Sequence, residues 1–217
     1  MSIFSYITSE WKFILTLTME HISLVGVAVG LAILFGVPMG ILMTRFRWLA
    51  SPVLALATVI LTLPSIALFG FMIPIFSMFG AGLGKGPAIT AVFLYSLLPI
   101  LTNTFTALDN VDSGIQEAGI GIGMTFWQRL RMVDLPLSVP VILGGVRTAV
   151  VMNIGVMTIA AVIGAGGLGV LILRAISQSS SEKLIVGVLA ISSLAIIVDL
   201  FLQWLQKKLT PKGVRTS

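Results

Sequence analysis

Apolar residues run through this chain in long blocks separated by short polar punctuation, a pattern unlike the half-buried stripes of a water-soluble helix. Four blocks lack charge for long enough to cross about 30 Å of hydrocarbon at about 1.5 Å per residue. They are Ile22 to Met43, Val53 to Met78, Ala88 to Leu108, and Leu184 to Val198 with its continuation. A fifth, Val141 to Ile163, is interrupted only by Arg147. The pattern predicts an all-α polytopic membrane protein of about five transmembrane helices. Ahead of the first block, Phe4, Ile7, Trp11 and Ile14 recur at spacings of three and four among polar neighbours, which predicts a short interfacial helix over 1–21. Span 1 follows Glu10 and Glu20 and has full spanning length, so it reads as a retained helix, not a cleaved leader.

Prolines 38, 64, 74 and 99 fall inside predicted spans, where each removes a backbone donor and can kink the helix. The Gly-rich stretches Phe79 to Pro87 and Gly164 to Gly169 read as tight turns or re-entrant segments shielded by protein. No internal repeat or soluble domain is evident. The organisation expected is an extracytoplasmic segment 1–21, a transmembrane domain 22–205 and a cytoplasmic basic tail 206–217.

Composition supports the bilayer and removes much chemistry. The chain is 57% hydrophobic and 10% charged, with a mean hydropathy of +1.10. It has no Cys and a single His, which excludes thiol chemistry and multi-His metal sites. His21 itself reads as a wet interfacial residue. Arg45, Arg47, Arg129, Arg131, Lys207, Lys208, Lys212 and Arg215 fall on one side of the predicted spans, against Lys12, Lys85, Arg174 and Lys183 on the other. The positive-inside rule then places the N-terminus outside and the C-terminus in the cytoplasm. The net charge of +5 reflects this bias and does not call for nucleic acid. Trp11, Trp48 and Trp204 flank spans as interfacial anchors, and Trp127 sits in a loop.

One loop carries a motif. Asp109 to Pro136 is the only long polar stretch between spans, and it reads Glu117, Ala118, Gly119, three residues, Gly123, nine residues, Val133, Asp134, Leu135, Pro136. This resembles the signature loop of ABC importer permeases: Glu-Ala-Ala, three residues, Gly, nine residues, Ile, one residue, Leu-Pro. Gly119 and Val133 depart mildly from it. The resemblance implies a type I importer transmembrane domain whose loop, at Glu117, Ala118, Gly119, Gly123, Met124, Thr125, Leu135 and Pro136, forms a coupling helix docked on a cytoplasmic ATPase. Read physically, Asp112 or Ser113 can cap that helix, Glu117 sits near its favourable N-terminal dipole, and Gly123 permits a sharp turn.

The likeness extends along the chain. Thr62 to Ser65, Leu98 to Ile100 with Asn103-Thr104, Gly121 to Thr125, Gly145 to Thr148 and Ile163 to Gly169 resemble osmoprotectant permeases. That family imports quaternary ammonium solutes such as glycine betaine, choline and carnitine. It implies two permeases per complex, cytoplasmic ATP-binding subunits that hold ATP and Mg, an extracytoplasmic binding protein, and no cofactor or metal on this chain. Another small solute such as methionine, or an autonomous secondary transporter, is the alternative; inverted repeats and intramembrane acids for the latter are missing. A membrane-embedded enzyme would need a nucleophile, base or metal cluster, which the sequence does not offer.

Polar groups within spans are the candidates for a translocation path: Ser65, Tyr95, Ser96, Asn103, Thr104 and Asn153, with helix–helix hydrogen bonding as the plainer role of each. Arg147 and Asp199 are the charges nearest the membrane interior and are expected to snorkel or to pair. Two Gly-rich look-alikes carry nothing. Gly164 to Gly169 fits a dinucleotide fingerprint but follows a membrane span, and Gly80 to Gly86 lacks the spacing of a phosphate loop.

Overall fold

The computed structural model describes residues 3–210, and these form helices and turns with no strand among them. Helix α1 spans Ile3–Arg45, α2 Ala50–Thr62, α3 Ser65–Ser77, α4 Lys85–Asp109, α5 Ser113–Gly121, α6 Phe126–Arg129, α7 Leu135–Met157, α8 Gly169–Ser177 and α9 Ser181–Leu209. Lys212 and Arg215 of the expected basic tail lie outside the described residues.

Four helical runs are long and apolar enough to cross a membrane: α1, α4, the continuous run Phe126–Met157, and α9. The remaining expected span, Val53 to Met78, is a bent pair, α2 and α3, meeting at 103°. The reason lies in Leu63-Pro64. Pro64 has no N–H to continue α2 and biases the residue before it away from helix; Leu63 takes φ −65°, ψ 137°. The Tyr95 hydroxyl donates to the Leu63 carbonyl at 2.6 Å, so α4 satisfies an acceptor that the break frees. Pro38, Pro74 and Pro99 lie inside helices that continue through them.

The N-terminal segment is not a separate interfacial helix. Its periodic residues continue without a break into span 1, making α1 a helix of 43 residues, about 64 Å long at about 1.5 Å per residue. Nothing at 21/22 could end it: there is no Gly-Pro signal, and His21 and the residues after it are good interior positions.

Helix α4 is central and packs against both α1 and α7, while α9 packs on α7 and α8. Small residues make the close approach possible. Ala28, Ala32, Ala88, Ala91 and Ala149 are fully buried at these contacts. Gly36 and Gly40, four apart on α1, lie over Ile100 and Thr104, four apart on α4; a Cβ on Gly40 would come within 2.7 Å of Thr104. Gly145 of α7 sits over Pro99 and Asn103 in the same way. In a membrane such small-residue seams replace the hydrophobic effect as the source of helix association.

Candidate functional site

The 109–136 segment folds at the end of the bundle where α1 and α4 terminate. Asp112 caps α5, its Oδ1 accepting from Ile115 N at 3.1 Å. At the other end of α5, Gly123 takes φ +83°, Gly123 N donates to Ile120 O and Met124 N to Gly119 O. That is a Schellman closure with glycine at the left-handed position, so Gly123 ends α5 sharply. Thr125 then opens α6 with a capping box: Gln128 N donates to its hydroxyl and its own N–H donates to Gln128 Oε1. A single π-turn, Leu130–Asp134, joins α6 to α7, whose first residues are Leu135 and Pro136.

The segment is fastened to the bundle on its inner side. Arg129 pairs with the buried Asp134 at 3.1 Å, and its methylenes pack over the buried Gly119, where an added Cβ would lie at an ordinary 3.5 Å from Arg129. Ser138 Oγ donates to Ala107 O at 3.0 Å, linking the start of α7 to the end of α4. The Arg45 guanidinium lies over the Phe126 ring, and Arg47 pairs with Asp109 at 2.6 Å. The outer side is open. Glu117 and Ala118 are exposed, as are Ile120, Ile122, Trp127 and Met132, the last two at 61% and 67%. Large exposed apolar side chains thus accompany the Glu117 carboxylate on and beside a helix capped at both ends.

The path candidates separate. Ser96 and Asn153 are fully buried between α4 and α7, where Asn153 Nδ2 donates to Ser96 Oγ at 2.8 Å and to Ala149 O. Thr104 is fully buried under Gly40. Tyr95 is spent on Leu63, and Ser65 opens α3 half-buried. Asn103 borders an open cleft. That cleft, of about 590 Å³, is bordered by Asn103 of α4, Gly144, Arg147 and Thr148 of α7, and Asp199 and Gln206 of α9. Arg147 and Asp199 do pair, through two N–H groups, with Nη2 to Oδ2 at 2.8 Å.

His21 is not the solvated ring expected from sequence. It is fully buried. Its Nδ1 accepts from Leu168 N at 3.2 Å and its Nε2 lies 3.0 Å from Ile154 O, so the ring is the neutral Nε2–H tautomer, bridging α7 and the turn before α8. Its neighbour Glu20 accepts from Gly167 N at 2.9 Å and pairs with Lys85 at 2.8 Å. Gly84 N donates to Ile163 O, so the two Gly-rich stretches meet here as tight turns, with Gly164, Gly166 and Gly167 all at positive φ. The burial of His21 follows from the unbroken α1, which carries it into the bundle instead of leaving it at the end of a short interfacial helix.

Residues 32–211 match the family model described as binding-protein-dependent transport system inner membrane component. The chain belongs to this family. It is 60% identical over 215 residues, 99% of this chain and 100% of its relative, to the osmoprotectant import permease protein OsmW of Salmonella typhimurium. It is 41% identical over 198 residues, 91% of this chain and 89% of the other, to the glycine betaine/carnitine/choline transport system permease protein OpuCB of Bacillus subtilis. Among solved structures, a chain of the MetNI methionine ABC transporter in an inward-facing conformation superposes with a TM-score of 0.80 at 20% identity, over 92% of this chain and 97% of that one. The fold is that of a type I ABC importer transmembrane domain.

For a permease of this family the signals missed in sequence lie in the seams and at the Gly-rich end. Gly36-x-x-x-Gly40 is a legible small-residue motif for helix contact. The Thr125-x-x-Gln128 capping box was equally legible. Nothing local marked Glu20 and His21, which meet Gly167 and Leu168 147 residues away, with Ile154 and Lys85 also far along the chain.

Proposed function

We propose that this chain is the transmembrane permease subunit of an ATP-driven importer of osmoprotectants, small quaternary ammonium solutes of the glycine betaine, choline and carnitine class. It works with separate ATP-hydrolysing subunits that hold ATP and Mg, a second permease, identical or homologous, and an extracytoplasmic binding protein, and hydrolyses no ATP itself. The N-terminus and the Gly-rich end face outward, and the 109–136 segment faces the cytoplasm, in keeping with the basic residues at that end.

The observation that carries the mechanistic part is the construction of α5: capped at both ends, fastened inward through Arg129, and exposed outward at Glu117 amid apolar side chains. A partner can bias a conformational equilibrium only through contacts that differ between the two states. A rigid exposed helix is where such contacts can be made, and Arg129–Asp134 with the π-turn passes its displacement to α7. The substrate part rests on full-length relatives, the first at 60% identity. The likeness to MetNI, at 20% identity, speaks for the fold and not for methionine.

The test is uptake of radiolabelled glycine betaine into proteoliposomes holding the complex and its binding protein, with and without internal ATP, for wild type and Glu117→Arg. ATP-dependent uptake, lost in the variant while the permease still inserts, is the expected result. A complex with ATP-dependent transport that ignores quaternary ammonium solutes overturns the substrate, and unimpaired uptake by Glu117→Arg overturns the coupling role.

A further inference from the structure

The Arg147–Asp199 pair is oddly placed for a purely structural one. Arg147 lies 12 residues into α7 and Asp199 10 residues before the end of α9, about 18 Å and 15 Å along their helices, yet each side chain keeps 31% of its surface exposed. Hydrocarbon does not tolerate half-exposed charges at such depth, so the cleft they border faces protein or water in the assembled transporter. The rest of its lining is mixed, with Asn103, Thr148 and Gln206 beside Gly144, Val151 and Met152, and its volume of about 590 Å³ is within the range of small-molecule sites.

The pair is also chemically unfinished. Arg147 engages Asp199 through Nε–H and one Nη2–H, and the other guanidinium N–H groups have no acceptor among the described residues. Asp199 accepts one bond on each oxygen and retains further acceptor capacity. Gln206 and Asn103, by contrast, have turned their amide N–H groups onto Pro140 O and Pro99 O. A fork of free N–H donors beside a carboxylate, in an open cleft, offers a cation and an anion together.

The geometry points to this cleft as a transit site for a small zwitterion, whose carboxylate takes the free guanidinium N–H groups of Arg147 while its fully substituted ammonium lies against the Asp199 carboxylate. The ion pair need not break to receive it. No aromatic cage borders the cleft, which suits a site that must release its occupant. This rests on the osmoprotectant reading above and adds to it which residues meet the solute within the membrane.

The experiment uses the complete complex in nanodiscs without binding protein, measuring saturable binding of radiolabelled glycine betaine and of choline, which shares the ammonium but lacks the carboxylate. Wild type is compared with the Arg147→Gln/Asp199→Asn double variant, which keeps hydrogen-bonding groups at both positions and leaves no lone charge; thermal stability is followed alongside. Wild type is expected to bind glycine betaine in the millimolar range and choline at least about tenfold more weakly, since charge-assisted bonds to the carboxylate are lost. The double variant should lose that preference by about tenfold or more while assembling normally. A loss of stability with the preference intact assigns the pair to packing alone and overturns the site, as does a wild type that transports glycine betaine yet shows no such binding. A wild type that neither transports nor binds any quaternary ammonium solute fails the substrate reading itself, and the site with it. Should the double variant not assemble, Arg147→Lys, which keeps the charge but loses the fork, is expected to reduce the preference, and an unchanged preference there overturns the site.

Discussion

The seam between α4 and α7 allows a prediction whose sign is unusual. Alanine in place of glycine inside a helix ordinarily stabilises it by roughly 0.5–1 kcal/mol, because the backbone has less freedom to lose. At Gly145 the new methyl would lie 2.6 Å from Asn103 Cβ and 2.7 Å from Pro99 O. Neither can move alone: Cβ moves only with its backbone, and the carbonyl belongs to α4 and accepts from Asn103 Nδ2. The two helices must separate, and overpacking of this kind costs about 1–3 kcal/mol. Relative to Gly→Ala in open space, which keeps the propensity gain, Gly145→Ala is then less stable by about 1–3 kcal/mol, or about 2–12 °C in Tm for a chain of this size. Gly30→Ala is the control, since nothing lies within 4 Å of its Cβ, and it should match or exceed wild type. Heating the purified complex in detergent and following the monodisperse fraction reads both. If Gly145→Ala proves as stable as Gly30→Ala, the seam is looser than the structure has it and the reasoning fails.

Other substitutions test other joints. His21→Ala should cost about 2–5 kcal/mol, since it leaves a cavity and strips Ile154 O and Leu168 N of their partner; thermal stability of the complex checks this. Tyr95→Phe removes the bond to Leu63 O and should cost about 1 kcal/mol, seen as faster hydrogen exchange at the Ala67 and Leu68 amides just past the break. Gly123→Ala forces an L-residue to φ +83° and should cost about 1–2 kcal/mol, fraying α5, accelerating exchange at the Met124 amide and lowering ATP-driven uptake. Gly119→Ala, whose Cβ meets only ordinary contacts, should leave both measurements unchanged.

What sequence made legible was whatever one residue type dictates locally. Apolar length located the spans, because hydrocarbon thickness sets a minimum run. The motif spacing located α5, and Asp112 caps it through its carboxylate while Gly123, lacking a Cβ, makes the turn. Pro64 was legible as a kink but not as a break of 103°, since Pro38, Pro74 and Pro99 look the same in sequence and their helices continue. What decides is whether a neighbour such as Tyr95 is placed to satisfy the freed carbonyl, and that is a tertiary fact. The same holds for the path candidates: Ser96, Asn103 and Asn153 are equally polar, but only the packing of α4 on α7 sends two of them into a buried bond and one to the rim of a cleft.

The prolines also explain how one helix serves both ends of the bundle. Helix α1 meets the 109–136 segment through Arg45 on Phe126 and the Gly-rich turns through Glu20 and His21, about 36 Å apart at about 1.5 Å per residue. A strut of that length with Pro38 inside it has a missing hydrogen bond near its middle and would bend there if left alone. Pro38 lies between Gly36 and Gly40, where α4 packs close against α1, and the facing residues of α4, Leu97, Ile100 and Thr104, flank its own Pro99. Each helix is splinted by the other at its weakest point, and Gly145 brings α7 onto the same level from α7's side, against Pro99 and Asn103. The small-residue seams are therefore where stiffness is made in this bundle.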